Sequence, residues 1–232
     1  MRQVMTWIAA AWMAVAGPVW ADDHPVVVEL FTSQGCSSCP PADEFLSTLA
    51  GRDDVIALAL HVDYWDYIGW KDVFADPSFT TRQKAYAISA GRRSVYTPQM
   101  IVGGREHVVG NHPVDVTELI RKHATQAQPV TLTLNRTGDQ LRITAQTDQP
   151  LPDPVLVQLV RYRPSARVEI QKGENAGRTM EYSNIVTEWH ILAEWDTRQV
   201  FETGGPSPGD LPVVVIVQKK GPGEVLAAAR LR

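Results

Sequence analysis

The strongest constraint on this 232-residue chain is a junction near its start. An apolar, β-branched run, Pro25 to Phe31 (PVVVELF), leads into Gly35-Cys36-Ser37-Ser38-Cys39-Pro40-Pro41. After it, Ala42 to Leu49 places Phe45, Leu46 and Leu49 at helical spacing. Short β-branched runs predict buried strands, and apolar residues three and four apart predict a helix. Both cysteines of the chain therefore sit at one turn from a strand into a helix.

Three chemistries fit a pair so placed. In a dithiol reading, a Cys36 thiolate attacks a partner disulfide and Cys39 resolves the mixed disulfide. The two-residue gap lets the sulfurs reach bonding distance while Cys36 stays open to attack. In a staple reading the bond is inert. A loop this short restrains the unfolded chain by only about 2 kcal/mol, against about 3 for a 15-residue loop. In a metal reading, Cys36, Cys39 and His61 offer soft ligands suited to Cu(I). Zinc usually takes four ligands, and no second cysteine pair supplies them.

Residues 1–21 have the pattern of a secretory signal. Arg2 is the lone positive charge, and Val4 to Ala16 is a 13-residue run without charge. Gly17-Pro18 then breaks the helix, and Val19-Trp20-Ala21 puts small residues at a cleavage site. The run is shorter than the roughly 20 residues that span a bilayer. Cleavage leaves an exported protein, periplasmic or secreted, without a membrane anchor. That compartment is oxidising and permits a disulfide.

The remaining chain divides by hydrophobic period. Over residues 22–126 the order is β-α-β-α-β-β-α. Val55 to Val62 is a second buried strand and Ser78 to Ala90 a second helix. Met100 to Val102 and His107 to Val109 flank a Gly103-Gly104 hairpin, and Val114 to Ala124 is the last helix. After Gln126 to Pro129 the period becomes two, as in Val130 to Leu134 and Leu141 to Ala145. Further strands are expected at Val155–Tyr162, Val168–Gln171, Val186–Trp195, Val213–Gln218 and Val225–Leu231. Residues 127–232 thus predict an antiparallel sandwich. Trp189 and Trp195, six apart in one run, should face the same side.

Composition narrows the function. With 44% apolar and 21% charged residues the chain is neither disordered nor collagenous. A net charge of −4 without clustered positive charge gives no footprint for nucleic acid. Gly103-Gly104 lacks the helix of a phosphate loop, and no serine nucleophile elbow is present. No bound cofactor is expected.

The stretch Val28 to Asp43 (VELFTSQGCSSCPPAD) resembles the thioredoxin superfamily, and more closely the secreted domain-of-unknown-function family 1223. His61 to Trp70 (HVDYWDYIGW) and Tyr96 to Gly103 (YTPQMIVG) support that resemblance. It implies an α/β thioredoxin-like domain followed by an all-β antiparallel sandwich-like domain. It implies Cys36 as nucleophile and Cys39 as resolving cysteine. It also implies a cis bond at Thr97-Pro98 facing the dithiol, although X-Pro bonds in general are mostly trans.

Two departures stand out. Gly35 occupies a position where thioredoxins commonly carry Trp. The Pro40-Pro41 pair fits only a helix that starts late enough to hold both prolines in its first turn. The helix dipole then acts less directly on Cys36.

Glu29 interrupts the first strand seven residues before Cys36. Thioredoxins keep a buried acid near there, one residue offset, as proton acceptor for the resolving cysteine, so Glu29 is a candidate for that role. A salt-bridged strand glutamate fits the same position. Tyr64, Trp65 and Tyr67 follow the second strand, where ligands of α/β sheets usually sit, and are candidates for a substrate groove. Trp70 fits better as packing under the loop. The expected activity is thiol–disulfide exchange with a protein or small thiol. The alternatives are Cu(I) binding, or a binding module without turnover.

Overall fold

The computed structural model describes residues 24–207 and 209–232. The expected signal at residues 1–21 lies outside them. Strand β1 (Val26–Thr32) leads into helix α1 (Pro40–Ala50), strand β2 (Val55–His61) and helix α2 (Pro77–Ser89). Hairpin β3 (Gln99–Val102) and β4 (Glu106–Val109) and helix α3 (Pro113–Ala124) follow. Next come β5 (Thr131–Thr137), β6 (Gln140–Gln146), β7 (Val155–Glu169) and β8 (Thr179–Trp195). The chain ends with β9 (Phe201–Pro206), β10 (Val213–Lys219) and β11 (Val225–Leu231).

These elements do not form an α/β thioredoxin-like domain followed by a separate sandwich-like domain. One mixed sheet of eight strands runs through both halves, in the order β11-β10-β7-β8-β2-β1-β3-β4. A small sheet, β5-β6-β9, stands apart. The join is β2 to β8, parallel, with Ala59 opposite Ile185. Asn184 strengthens it by donating from Nδ2 to the Ala57 carbonyl at 2.8 Å. A period of two identifies strands but not the sheet they enter, which is why the division after residue 126 suggested a second sheet pair.

The strand sequences explain the layering. β1, β2 and β10 are apolar on both faces, as strands covered on both sides must be. Val27, Phe31, Ile56, Leu58, Val160, Val214 and Ile216 pack beneath α2, whose Phe79 and Tyr86 join them. On the other face, Val28, Leu30, Ala57 and Ala59 pack against Ala42, Leu46 and Leu49 of α1 and Ile120 of α3. Val157, Val213, Val215 and Val217 pack instead against Leu141, Ile143 and Ala145 of the small sheet.

Trp189 and Trp195 do not share a side. Trp195 is buried against the small sheet, while Trp189 packs on the α2 side. Val157 pairs with Ala193 but Gln158 pairs with Ile191, so Leu192 is an extra residue in β8. One such bulge between the two tryptophans reverses the alternation.

Candidate functional site

β1 ends at Thr32, and the chain turns through Ser33 to Ser38 before α1 begins. Cys39 caps α1, with Pro40 and Pro41 in its first turn, where no intrahelical N–H is required. Its carbonyl accepts from Ala42 N at 2.8 Å and Asp43 N at 3.1 Å. Cys36 and Cys39 are joined as a disulfide. The Thr97–Pro98 peptide is cis, and Pro98 directly precedes Gln99, which pairs with Phe31 at the end of β1 leading to the cysteines.

The disulfide is enclosed rather than open. Cys36 is 1% exposed and Cys39 0%, although Ser37 and Ser38 between them are on the surface. This corrects the expectation of an open Cys36. Part of the cover is aromatic. A Cβ on Gly35 would meet Trp65 Cβ at 3.0 Å and Ile68 Cδ1 at 3.1 Å, tighter than ordinary contact, so the loop after β2 packs closely on this glycine. Trp65 in turn donates from Nε1 to Thr97 Oγ1 at 2.8 Å. An aromatic from a distant loop thus stands against Gly35, which itself carries none.

Of the expected aromatic candidates, only Trp65 reaches the dithiol loop. Tyr64 turns toward α2 and donates to Gln83 Oε1 at 3.2 Å. Tyr67 is 82% exposed. Trp70, expected as packing, donates to Gln34 Oε1 at 2.8 Å and so also supports the loop.

Glu29 lies elsewhere. It alternates with Val28 and Leu30, which face α1, and therefore points toward α2. There Arg82 donates to it from Nε at 2.6 Å and from Nη2 at 2.9 Å, and Tyr86 donates to it at 2.6 Å. The structure fits the salt-bridged strand glutamate, not a partner of Cys39.

A different carboxyl stands near Cys39. Asp43 is one helical turn further along α1 and is buried. Burial pushes its carboxyl up to about 7, an effect tempered by His61 and Thr32. His61 is buried too, its ring packed edge-on against Phe74 and Tyr182. Its Nδ1 lies 2.7 Å from Asp72 Oδ2. The same Asp72 oxygen accepts from Gln34 N at 2.8 Å, which ties the end of β2 to the cysteine loop. Burial alone would raise the Asp72 carboxyl, but interaction with His61 and its hydrogen bonds bring it below the ordinary value.

Asp43 Oδ1 and His61 Nε2 have no hydrogen-bond partner among the described residues. Buried polar atoms are nearly always bonded, so these two, with Thr32 Oγ1 and Gln34 Nε2 of the same region, make the cluster a candidate site for proton exchange. The cluster does not assemble the metal set Cys36, Cys39 and His61. Both sulfurs are in the disulfide, His61 Nδ1 is engaged by Asp72, and the described residues hold no group of three or more metal-ligating side chains. No described helix is long and apolar enough to cross a membrane.

Fold and site together define a class: a mixed-sheet protein with a C-x-x-C disulfide at the turn from its first strand into its first helix. The chain belongs to the family described as protein of unknown function (DUF1223), whose family model matches residues 27–218. The X-ray crystal structure of a protein from Agrobacterium tumefaciens is similar to it, at 32% identity and a TM-score of 0.76, over 89% of this chain and 93% of that one. HBP35 of Porphyromonas gingivalis shares the fold at 15% identity and a TM-score of 0.64, over 90% of this chain and 75% of its own. No curated protein matches the chain.

Proposed function

We propose that this is an exported thiol–disulfide oxidoreductase that works through Cys36 and Cys39 in the manner of thioredoxin-like proteins. The observation that carries the reading is Asp43. A titratable carboxyl with an unpaired oxygen, buried one turn from Cys39, has the proton affinity that exchange near neutral pH demands. A staple would need no such group.

The exchange runs in two displacements. A partner thiolate attacks Cys36 Sγ, the Cys36–Cys39 bond breaks, and its electron pair leaves on Cys39 as a thiolate. Protonated Asp43 supplies the proton. A second partner thiolate then displaces Cys36 from the mixed disulfide. The partner leaves oxidised and the protein holds two thiols, so two electrons and two protons have moved. In reverse, ionised Asp43 takes the Cys39 proton and a partner disulfide is reduced.

The test uses Cys36→Ser and Cys39→Ser with a dithiol and a disulfide-bonded polypeptide as partners. Cys36→Ser abolishes exchange while the far-ultraviolet dichroism stays native. Cys39→Ser, given the disulfide-bonded polypeptide without the dithiol, accumulates a mixed disulfide through Cys36, because no second thiol of the protein displaces the polypeptide. Exchange that persists in Cys36→Ser contradicts the assignment. A wild-type protein that never exchanges, yet binds Cu(I) stoichiometrically against a chelator, favours metal binding instead. One that does neither is a binding module.

A further inference from the structure

β7 and β8 are the longest strands, at 15 and 17 residues. β8 pairs with β2 at Ile185, and beyond it Ser165–Glu169 and Thr179–Ser183 pair with each other as a two-stranded arm, anchored where Tyr182 is buried against His61 and Ser183 bonds Ser47 of α1 at 3.0 Å. Its tip is closed by Ile170 N donating to Arg178 O at 2.9 Å and by Gly177 N donating to Ile170 O at 2.8 Å. Gly173 and Gly177 have φ of 79° and 80°, a region that glycine enters without steric cost.

The tip rests on the cysteine loop. Asn175 is buried, and its Nδ2 donates to the carbonyls of Gln34 and Cys36, each at 2.9 Å. Its Oδ1 accepts from Arg178 Nη1 at 3.3 Å. The Glu174 carboxylate accepts from Ser37 N at 3.3 Å. Gly173 lies against Trp70, the side chain that also holds Gln34.

The bonds from the tip to the cysteine loop are polar, its apolar anchors are the buried Ile170 at its base and Gly173 against Trp70 and Ile68, and Gln171, Lys172, Glu174, Ala176, Gly177 and Arg178 are exposed. Segments held by few buried apolar contacts open locally at low cost. The disulfide beneath is enclosed, and a thiolate must reach Cys36 Sγ along the S–S axis before any bond can break.

We propose that the arm tip, residues 170–178, is a cover over the disulfide, with Asn175 as its latch, and that lifting the cover sets the rate of exchange. The inference rests on the exchange reading above and adds its control. Both carbonyls that Asn175 holds belong to the backbone, so the latch closes over the oxidised and the reduced pair alike.

The experiment follows reduction of the purified protein by dithiothreitol, trapping free thiols over time. One dithiothreitol sulfur attacks Cys36, Cys39 leaves as thiolate, and the second sulfur releases Cys36 by closing the cyclic disulfide. A net hydrogen bond is worth a factor of about five in an equilibrium, so Asn175→Ala speeds reduction by at least about tenfold. Glu174→Ala, which removes one exposed contact, speeds it by about twofold to threefold. Amide hydrogen exchange at Cys36, Ser37 and Gly177 accelerates in Asn175→Ala, while β1 and β2 keep their protection.

Unchanged reduction rates in both variants overturn the cover. So does faster reduction that comes with equally faster exchange in β1 and β2, because that is global unfolding. These readouts measure access to sulfur and stand whether or not a biological partner exchanges with the pair. Failure of the exchange reading shows instead in Cys36→Ser and in the reduction potential.

Discussion

Asp43→Asn is expected to flatten the dependence of stability on pH between about 4 and 7. The Asp43 carboxyl has an ordinary value of 3.8 when unfolded and about 7 when folded. Between those values the folded chain binds a proton that the unfolded chain has lost. Stability from this group is fully present below 3.8 and is lost as pH rises through about 7. At about 1.4 kcal/mol per unit, the span amounts to roughly 4 kcal/mol. Asparagine carries no proton to lose, so the variant gains on the parent by that order between pH 4 and pH 8. Asp72, held below its ordinary value, acts in the opposite sense, lending stability that is lost only as pH falls below 3.8. Urea unfolding of both proteins at pH 4, 6 and 8 measures the difference. Parallel stability profiles would show that Asp43 is not the buried acid described. If Asp43 also carries the Cys39 proton, exchange at pH 7 falls on the order of a hundredfold in the same variant.

The second large effect is at Arg82. Its guanidinium is 12% exposed and holds the fully buried Glu29, and it also lies 3.8 Å from the Trp189 ring centroid. Arg82→Ala leaves Glu29 with Tyr86 as its remaining donor and no cation. Breaking one side of a buried pair costs about 3–5 kcal/mol, because the other charge stays uncompensated. The urea midpoint should fall accordingly with an unchanged slope. A loss below about 1 kcal/mol would mean that the pair is screened like a surface bridge. Glu29→Gln should leave the pH profile of exchange unaltered, which separates this structural pair from the chemistry around Asp43.

The junction at the cysteines was legible because its signals are local. Apart from Glu29, Val26 to Phe31 are β-branched or large apolar residues, Pro40-Pro41 excludes an early helix start, and both cysteines fall between. What lay beyond local reading depends on pairing across the chain. Asn175 is 139 residues from Cys36, and nothing in Gly173-Glu174-Asn175-Ala176 announces a contact with it. The continuous sheet turns on one parallel contact between Ala59 and Ile185, which no periodicity reveals. The bulge at Leu192 reversed the expected facing of Trp195. Asp43 did leave a trace. It follows Cys39 by four and precedes Leu46 by three, so the helix places it on the inward face. Glu29 drew attention instead because it broke an apolar strand, yet a charge in a strand is as readily matched by a helix packed on that face, as Arg82 of α2 shows.

The central claim is that the Cys36–Cys39 disulfide exchanges. Its reduction potential tests this most directly, by equilibrating the protein in glutathione buffers and trapping free thiols. The account predicts a value between about −120 and −270 mV, the span from a strong oxidant to thioredoxin. A value well below about −300 mV would contradict it and make the pair a structural disulfide.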